Sequence, residues 1–366
     1  MSAGASSAAS PSPSPAPRRA RRVRRTAAEW TRMGVLTSLF VAILIAFLSP
    51  LAYSFVVSLK TPDQITAPNA PILPSDPATY EYNGRTVNIY NVPMPDGSIR
   101  ELAIIKPGRT QSDFIDPSNP SAPPITWQGS WRTLTQPWQV APHPENYSTV
   151  WDLINFPLLL RNTILLSAIG TFGTVLSCTL VAYGFARFRF PGRGLLFTIL
   201  LATIFLPGAV TLIPTYAIFN KIGWVGTWLP LLVPTFFANA YDVFLLRQYL
   251  MTIPRDLDEA AAIDGAGSFR ILRSVILPQA WPVLVAVFIF SFVYSWNDFF
   301  GPLIYLAGHA DLVPLQVGLA SFHGIYYTNP AYIQAGNLMT LLIPVLLFVI
   351  FQRVFIRGVV ITGVEK

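Results

Sequence analysis

Long uncharged stretches dominate the chain. Between consecutive charged residues lie apolar windows at 33–59, 162–186, 194–220, 222–241, 274–297 and 312–352. Each can hold one bilayer-crossing helix of about 20 residues, so the pattern predicts six spans. Pro207, Pro214, Pro230, Pro234, Pro282 and Pro344 interrupt several of them. Transporters break helices where backbone lines a cavity, although proline is also common in membrane helices generally. The pattern changes between Lys60 and about Phe156, where TVNIYNV and IRELAII alternate on either side of MPDGS. With Asp96 and Gly97 at the turn this predicts a β-hairpin inside a small, loop-rich outer subdomain with few strands.

Composition sharpens the class. Hydrophobic residues make up 52% of the 366 positions and charged residues 12%, about half the charged fraction of a soluble domain. An ordinary soluble globular fold is thereby excluded. Cys178 is the one cysteine, so no intrachain disulfide can staple the outer segments. Residues 1–17 are nearly all Ser, Ala, Pro and Gly and predict disorder. The run RRARRVRR at 18–25 stands just before an apolar window, so it reads as a membrane-surface anchor contacting lipid, not a nucleic-acid site. An even span count puts both termini on one side. The segments 18–32, 187–193, 247–273 and 353–366 carry 17 basic residues, against Lys221 alone in the short outer loops. That asymmetry predicts both termini in the cytoplasm.

One polar loop is distinctive. In residues 247–278, Pro254 stands where a helix can start, and Asp256, Asp258 and Glu259 put negative charge in a first turn. Alanines then favour helix until Gly265 and Gly267 interrupt it, and 268–275 can form a second short helix carrying Arg270 and Arg273. So short a hairpin has too little apolar surface to fold alone. It either docks on something or merely links two spans. Elsewhere, Asp242, Asn297 and Asp298 are costly in lipid and predict a cavity or helix neighbour, which makes them candidate pathway residues. Asp242 could instead sit near the inner surface beside Arg247.

Enzymatic signatures are missing from the sequence. There is no G-x-x-x-x-G-K-[ST], and GAGSF at 265–269 has no lysine at the spacing of a phosphate-cradling loop. His143, His309 and His323 are isolated, with no second His or Cys at ligand spacing, so no metal is assigned. The expectation is that this chain does not hydrolyse ATP itself and holds no catalytic residues and no cofactor.

Glu259-Ala260-Ala261, then Gly265, then Val275-Ile276-Leu277-Pro278 resembles the EAA motif of permease subunits of binding-protein-dependent ABC importers. Val275 stands where Ile is commoner. NYSTVW, NFPLLLRNTILLS, YGFARFRFPGRG, FLLRQYLMTIP, SWNDFFGPL and FQRVFIRGVVITGVEK resemble, in order, segments of the carbohydrate branch related to the maltose and glycerol-phosphate permeases. The resemblance covers about residues 145–366. It implies an all-α membrane protein with six transmembrane helices of the importer-permease type and a small loop-rich or β extracytoplasmic insertion between helices one and two. The implied division is a basic cytoplasmic tail at 1–32, a first helix at 33–59, an insertion at 60–157 and a permease core at 158–366 with the EAA loop at 254–278.

The same resemblance implies partners: a second homologous permease, two ATPase subunits that hold the ATP and Mg, and an extracytoplasmic solute-binding protein, all at a bacterial plasma membrane. Glu259, Ala260, Ala261, Asp264, Gly265 and Pro278 would couple to the ATPases. His323, Tyr326, Tyr327 and Asn329, in GLASFHGIYYTNPAYIQ, would meet the binding protein or its sugar, or else belong to an interfacial aromatic belt. The tail VVITGVEK would reach the ATPases or fray. Sugar or a sugar derivative is the implied cargo, with a polyamine or phosphate ester as the alternative. Outside this class stand an anchored scaffold or enzyme working through the outer loop, and an autonomous secondary transporter.

Overall fold

A computed structural model describes residues 27–67, 70–322 and 329–360. Four helices are long and apolar enough to cross a bilayer, and up to six spans result if each of two bent pairs counts as one. The chain divides into two compact units, 1–52 and 53–366. Within the first runs most of α1 (Ala27–Ser58), of which Thr31–Ser58 is long and apolar enough to cross a bilayer.

The second unit is built around α3 (Phe156–Arg187), which follows a short α2 (Glu145–Leu153). The helices α4 (Arg193–Ala202), α5 (Gly208–Lys221), α6 (Ala240–Thr252), α7 (Asp256–Ile263), α8 (Trp281–Trp296) and α9 (Pro330–Val360) come after it. Cys178, Ala182 and Ala186 of α3 pack on Val243, Leu246 and Leu250 of α6 and on Ile271, Leu272 and Ile276. Small residues let these elements close. A Cβ on Gly173 would lie 2.7 Å from Thr235 Oγ1 and 2.8 Å from a ring carbon of Phe236, so only glycine admits that segment against α3. At the opposite end of α3, Asn162 Nδ2 donates to the carbonyls of Asp311 and Val313 at 2.8 and 3.0 Å. Thr163 Oγ1 accepts from Leu315 N at 2.8 Å.

Some of the expected proline breaks appear, while Pro214 and Pro344 sit inside the continuous helices α5 and α9. Arg193–Phe205 and Val210–Lys221 turn by 100° around Pro207, and Ser268–Gln279 and Trp281–Trp296 turn by 82°. The fourth span differs from its apolar window. It runs over Leu229–Thr252, breaks just before Asn239, and carries Asp242 and Arg247 within it. The window closed at the first charge, whereas the fold supplies partners to both. Asp242 Oδ2 accepts from Asn239 Nδ2 at 2.7 Å, and the Arg247 guanidinium lies 4.3 Å from the centre of the Phe197 ring.

Residues 75–140 form seven strands, more than the hairpin and few strands expected. β2 (Thr79–Tyr82), β3 (Arg85–Pro93), β4 (Ile99–Lys106), β5 (Gln111–Ile115) and β6 (Ile125–Gln128) make one antiparallel meander, and β1 (Ser75–Pro77) pairs with β7 (Trp138–Val140). The expected hairpin is β3–β4, with Pro93 opposite Ile99 and Gly97 at φ +83°. The later strands escaped notice because Ser112, Asp113 and Gln128 blur their alternation. β5 and β6 join the hairpin in burying Tyr90, Val92, Leu102 and Phe114, with Ile125, Trp127 and Trp131 packed against them, since an isolated hairpin cannot do so. Asn146 of α2 fastens this insertion by donating to the carbonyls of Ser58 and Lys60 at 2.8 and 3.0 Å.

Candidate functional site

The EAA segment folds as the hairpin its residues predict. Asp256, Asp258 and Glu259 open α7 in its first turn, where negative charge suits the helix dipole. The helix ends in a Schellman turn: Gly265 N donates to Ala262 O at 3.0 Å and Ala266 N to Ala261 O at 2.9 Å, with Gly265 at φ +79°. Ala261 packs toward the core formed by α3 and α6, while Glu259, Ala260, Asp264 and Gly265 are exposed. Ile263 and Phe269 expose most of their apolar surface beside them, at 87% and 72%. After Ser268–Ile271 the chain makes a π-helical turn, Leu272–Ile276, just before Pro278. Proline supplies no N–H and crowds the carbonyl four residues back, which favours that wider turn.

Side-chain contacts brace the hairpin to the spans, among them one from Arg255 NH2 to Ala186 O at 3.4 Å. Arg187 Nε lies 3.2 Å from Asp258 Oδ2, and its NH2 group donates to Ile253 O at 3.0 Å. Tyr183 Oη donates to Ser268 O at 3.1 Å. The sequence reading used Asp258 only as a first-turn charge and passed over Arg187 and Tyr183. Their i, i+4 spacing on α3 was the available signal that one helix face meets this loop.

A second feature is a cavity of about 570 Å³ between α3, the broken fourth span and α8. Asp242 and Asp298 both line it, together with Thr174, Thr235, Tyr241, Ser291, Tyr294 and Ser295. Asp242 is 6% exposed and is held by Asn239, the N-cap of α6, and by Ser291 Oγ at 3.4 Å. Asp298 Oδ1 accepts from Gly301 N at 3.2 Å. Asn297 does not join them: it is exposed, absent from the lining, and donates back to Val293 O at 2.8 Å. Ser291, Ser295 and Asp298 recur at i, i+4 and i+7, a periodicity that could have identified this face.

Of the four residues expected to meet the binding protein or its sugar, Asn329 is among the described residues. His323, Tyr326 and Tyr327 lie outside the described residues. Asn329 is buried and caps α9, its Oδ1 accepting from Ala331 N and Tyr332 N at 3.1 and 3.3 Å. Its side chain thereby serves as a helix cap. Among the described residues no group of three His, Cys, Asp or Glu could hold a metal ion.

Residues 173–360 match the family described as binding-protein-dependent transport system inner membrane component. The osmoprotective compounds uptake permease protein GgtD of Synechocystis sp. is 30% identical over 240 residues, covering 65% of this chain and 80% of the relative. The sn-glycerol-3-phosphate transport system permease protein UgpE of Salmonella typhi is 33% identical over 227 residues, covering 59% and 79%. In fold, the chain is similar to one in the crystal structure of a bacterial ABC transporter that imports the acidic polysaccharide alginate. That likeness has a TM-score of 0.62 at 19% identity and covers 90% of this chain and 98% of the other.

Proposed function

This chain belongs to the binding-protein-dependent transport system inner membrane components, and from that premise we propose that it carries a sugar or sugar derivative across the membrane as one of two homologous permeases. It is a permease subunit of an ABC importer and not itself an enzyme. ATP and Mg belong to two separate ATPase subunits, and an extracytoplasmic binding protein delivers the solute. In this reading both chain ends, the EAA loop and the basic segments face the cytoplasm, while the β insertion and the loop around His323, Tyr326 and Tyr327 face outward.

The observation that carries the reading is the braced, exposed hairpin at 256–276. Its far side offers Glu259, Ala260 and Ile263 to a groove on an ATPase, where alanine allows close approach and Glu259 can meet a basic side chain. Its near side is tied to α3 through Arg187 and Asp258. Movement of the ATPases on closing around ATP then passes into α3 as a rigid-body displacement, because the two-residue brace leaves the hairpin little independent travel.

The test is to extract the tagged chain gently from native membranes and identify what accompanies it. An ATPase and a second permease should co-purify with the native chain and be lost with the Glu259→Lys, Gly265→Pro double variant. Recovery of a folded chain alone would overturn the proposal.

A further inference from the structure

The geometry points to a solute subsite on this chain, in the cavity between α3, α6 and α8, that takes an uncharged polyhydroxylated solute and rejects an anionic one. The inference rests on the importer reading above and narrows its cargo. The cavity's lining pairs two carboxyl groups, Asp242 and Asp298, with the hydroxyls of Ser291 and Ser295 and the rings of Tyr241 and Tyr294. Carboxyl oxygens and hydroxyls suit the hydroxyls of a sugar, and aromatic rings suit its C–H surfaces.

Two further features show a built site instead of a chance acidic pair. Asp242 is more than nine-tenths buried, yet among the described residues only its Oδ2 receives hydrogen bonds, from Asn239 and Ser291, so Oδ1 is open to the cavity. Asp298 likewise uses Oδ1 for Gly301 N and leaves Oδ2. Each carboxyl thus keeps an oxygen that accepts no hydrogen bond among the described residues, and an entering hydroxyl can donate to it. No Lys, Arg or His lines the cavity among the described residues. A phosphate or carboxylate entering it would lose water and meet two acids with no cation to compensate. The subsite therefore selects against the acidic solutes named for two of the similar proteins, glycerol phosphate and alginate.

The test uses the full chain with whatever subunits accompany it. In a Cys178→Ala background, which removes the chain's one cysteine, Ser295→Cys is alkylated by a small uncharged maleimide. Maltose, trehalose, sucrose, glucuronate or sn-glycerol 3-phosphate is present at tens of millimolar. Slowing by about threefold or more with at least one neutral sugar and with neither anion is expected, as for majority occupancy of a millimolar site. Asp298→Asn should abolish that protection. Ser291→Cys repeats the measurement if Ser295→Cys is misfolded or unreactive. Equal protection by the anions, or none by any solute, overturns the subsite. ATPase recovery from the same preparation reports separately on the importer reading, so the two can fail independently.

Discussion

Arg187 closes α3 with its Nε 3.2 Å from Oδ2 of Asp258, in the first turn of the exposed hairpin. The guanidinium is 6% exposed and the carboxylate 20%, so the pair is largely out of water. Removing one partner leaves the other charge uncompensated, and the cost of that outweighs what the pair itself contributes.

Asp258→Ala is therefore expected to destabilise the hairpin by about 3 kcal/mol, because Arg187 keeps only the Ile253 carbonyl. An Arg187→Met, Asp258→Leu double variant should recover much of that loss. Hydrogen exchange over residues 254–270 in the assembled transporter reads both. Strictly additive effects would show that the pair does not act as a unit.

Gly265 stands at φ +79° with open space around it, so strain and not crowding decides what replaces it. Gly265→Asn should be nearly neutral and Gly265→Ala should cost about 1 kcal/mol. Gly265→Pro should abolish coupled uptake, since it also removes the N–H that donates to Ala262 O. Uptake measured at matched membrane abundance gives the order Gly, Asn, Ala, Pro; normal uptake by the proline variant would exclude a coupling role for this turn.

Asn146 satisfies the carbonyls of Ser58, the last residue of α1, and of Lys60 just beyond it, and is itself 7% exposed. Asn146→Leu should lower stability by about 1–3 kcal/mol by orphaning both acceptors. Asn146→Asp should be worse at neutral pH, since a carboxylate would face the same two oxygens. Thermal unfolding in detergent, followed by tryptophan fluorescence from the insertion, distinguishes the two.

His143 bridges β1 and the start of α2, with Nε2 2.9 Å from Asp76 Oδ2 and Nδ1 bonded to Glu145 Oε1. Burial lowers its pKa, but the hydrogen bonds and charges of Glu145 and Asp76 outweigh this and leave it above the ordinary histidine value. Its stabilisation is thus complete below about pH 6.5 and disappears as pH rises through the folded-state value. Glu145 is shifted the other way, first by its own backbone N–H and then by His143. Its contribution is present above about pH 4.3 and lost as pH falls through the lowered folded value. The insertion should accordingly be most stable at mildly acidic pH, and His143→Gln should flatten the alkaline limb of a Tm-against-pH curve.

How much of this was legible in advance depended on the range of the interaction. The apolar windows, the β3–β4 hairpin and the helix–glycine–helix form of the EAA loop all follow from neighbours a few residues apart, where backbone preference and hydrophobic spacing act directly. The resemblance carried by Glu259, Ala260, Ala261 and Gly265 was equally local, and the family match bore it out. What needed the tertiary structure was every relation whose energy depends on a partner distant in sequence. Arg187 finds Asp258 across 71 residues of chain, and Asp242 and Asp298 share one cavity from different helices. Asn329 spends its side chain on a cap, and Asn297 turns back on its own helix. A charged or amide side chain is costly alone in an apolar interior and tolerable once paired. Its sequence position therefore shows that a partner must exist, and only the packed fold decides which one.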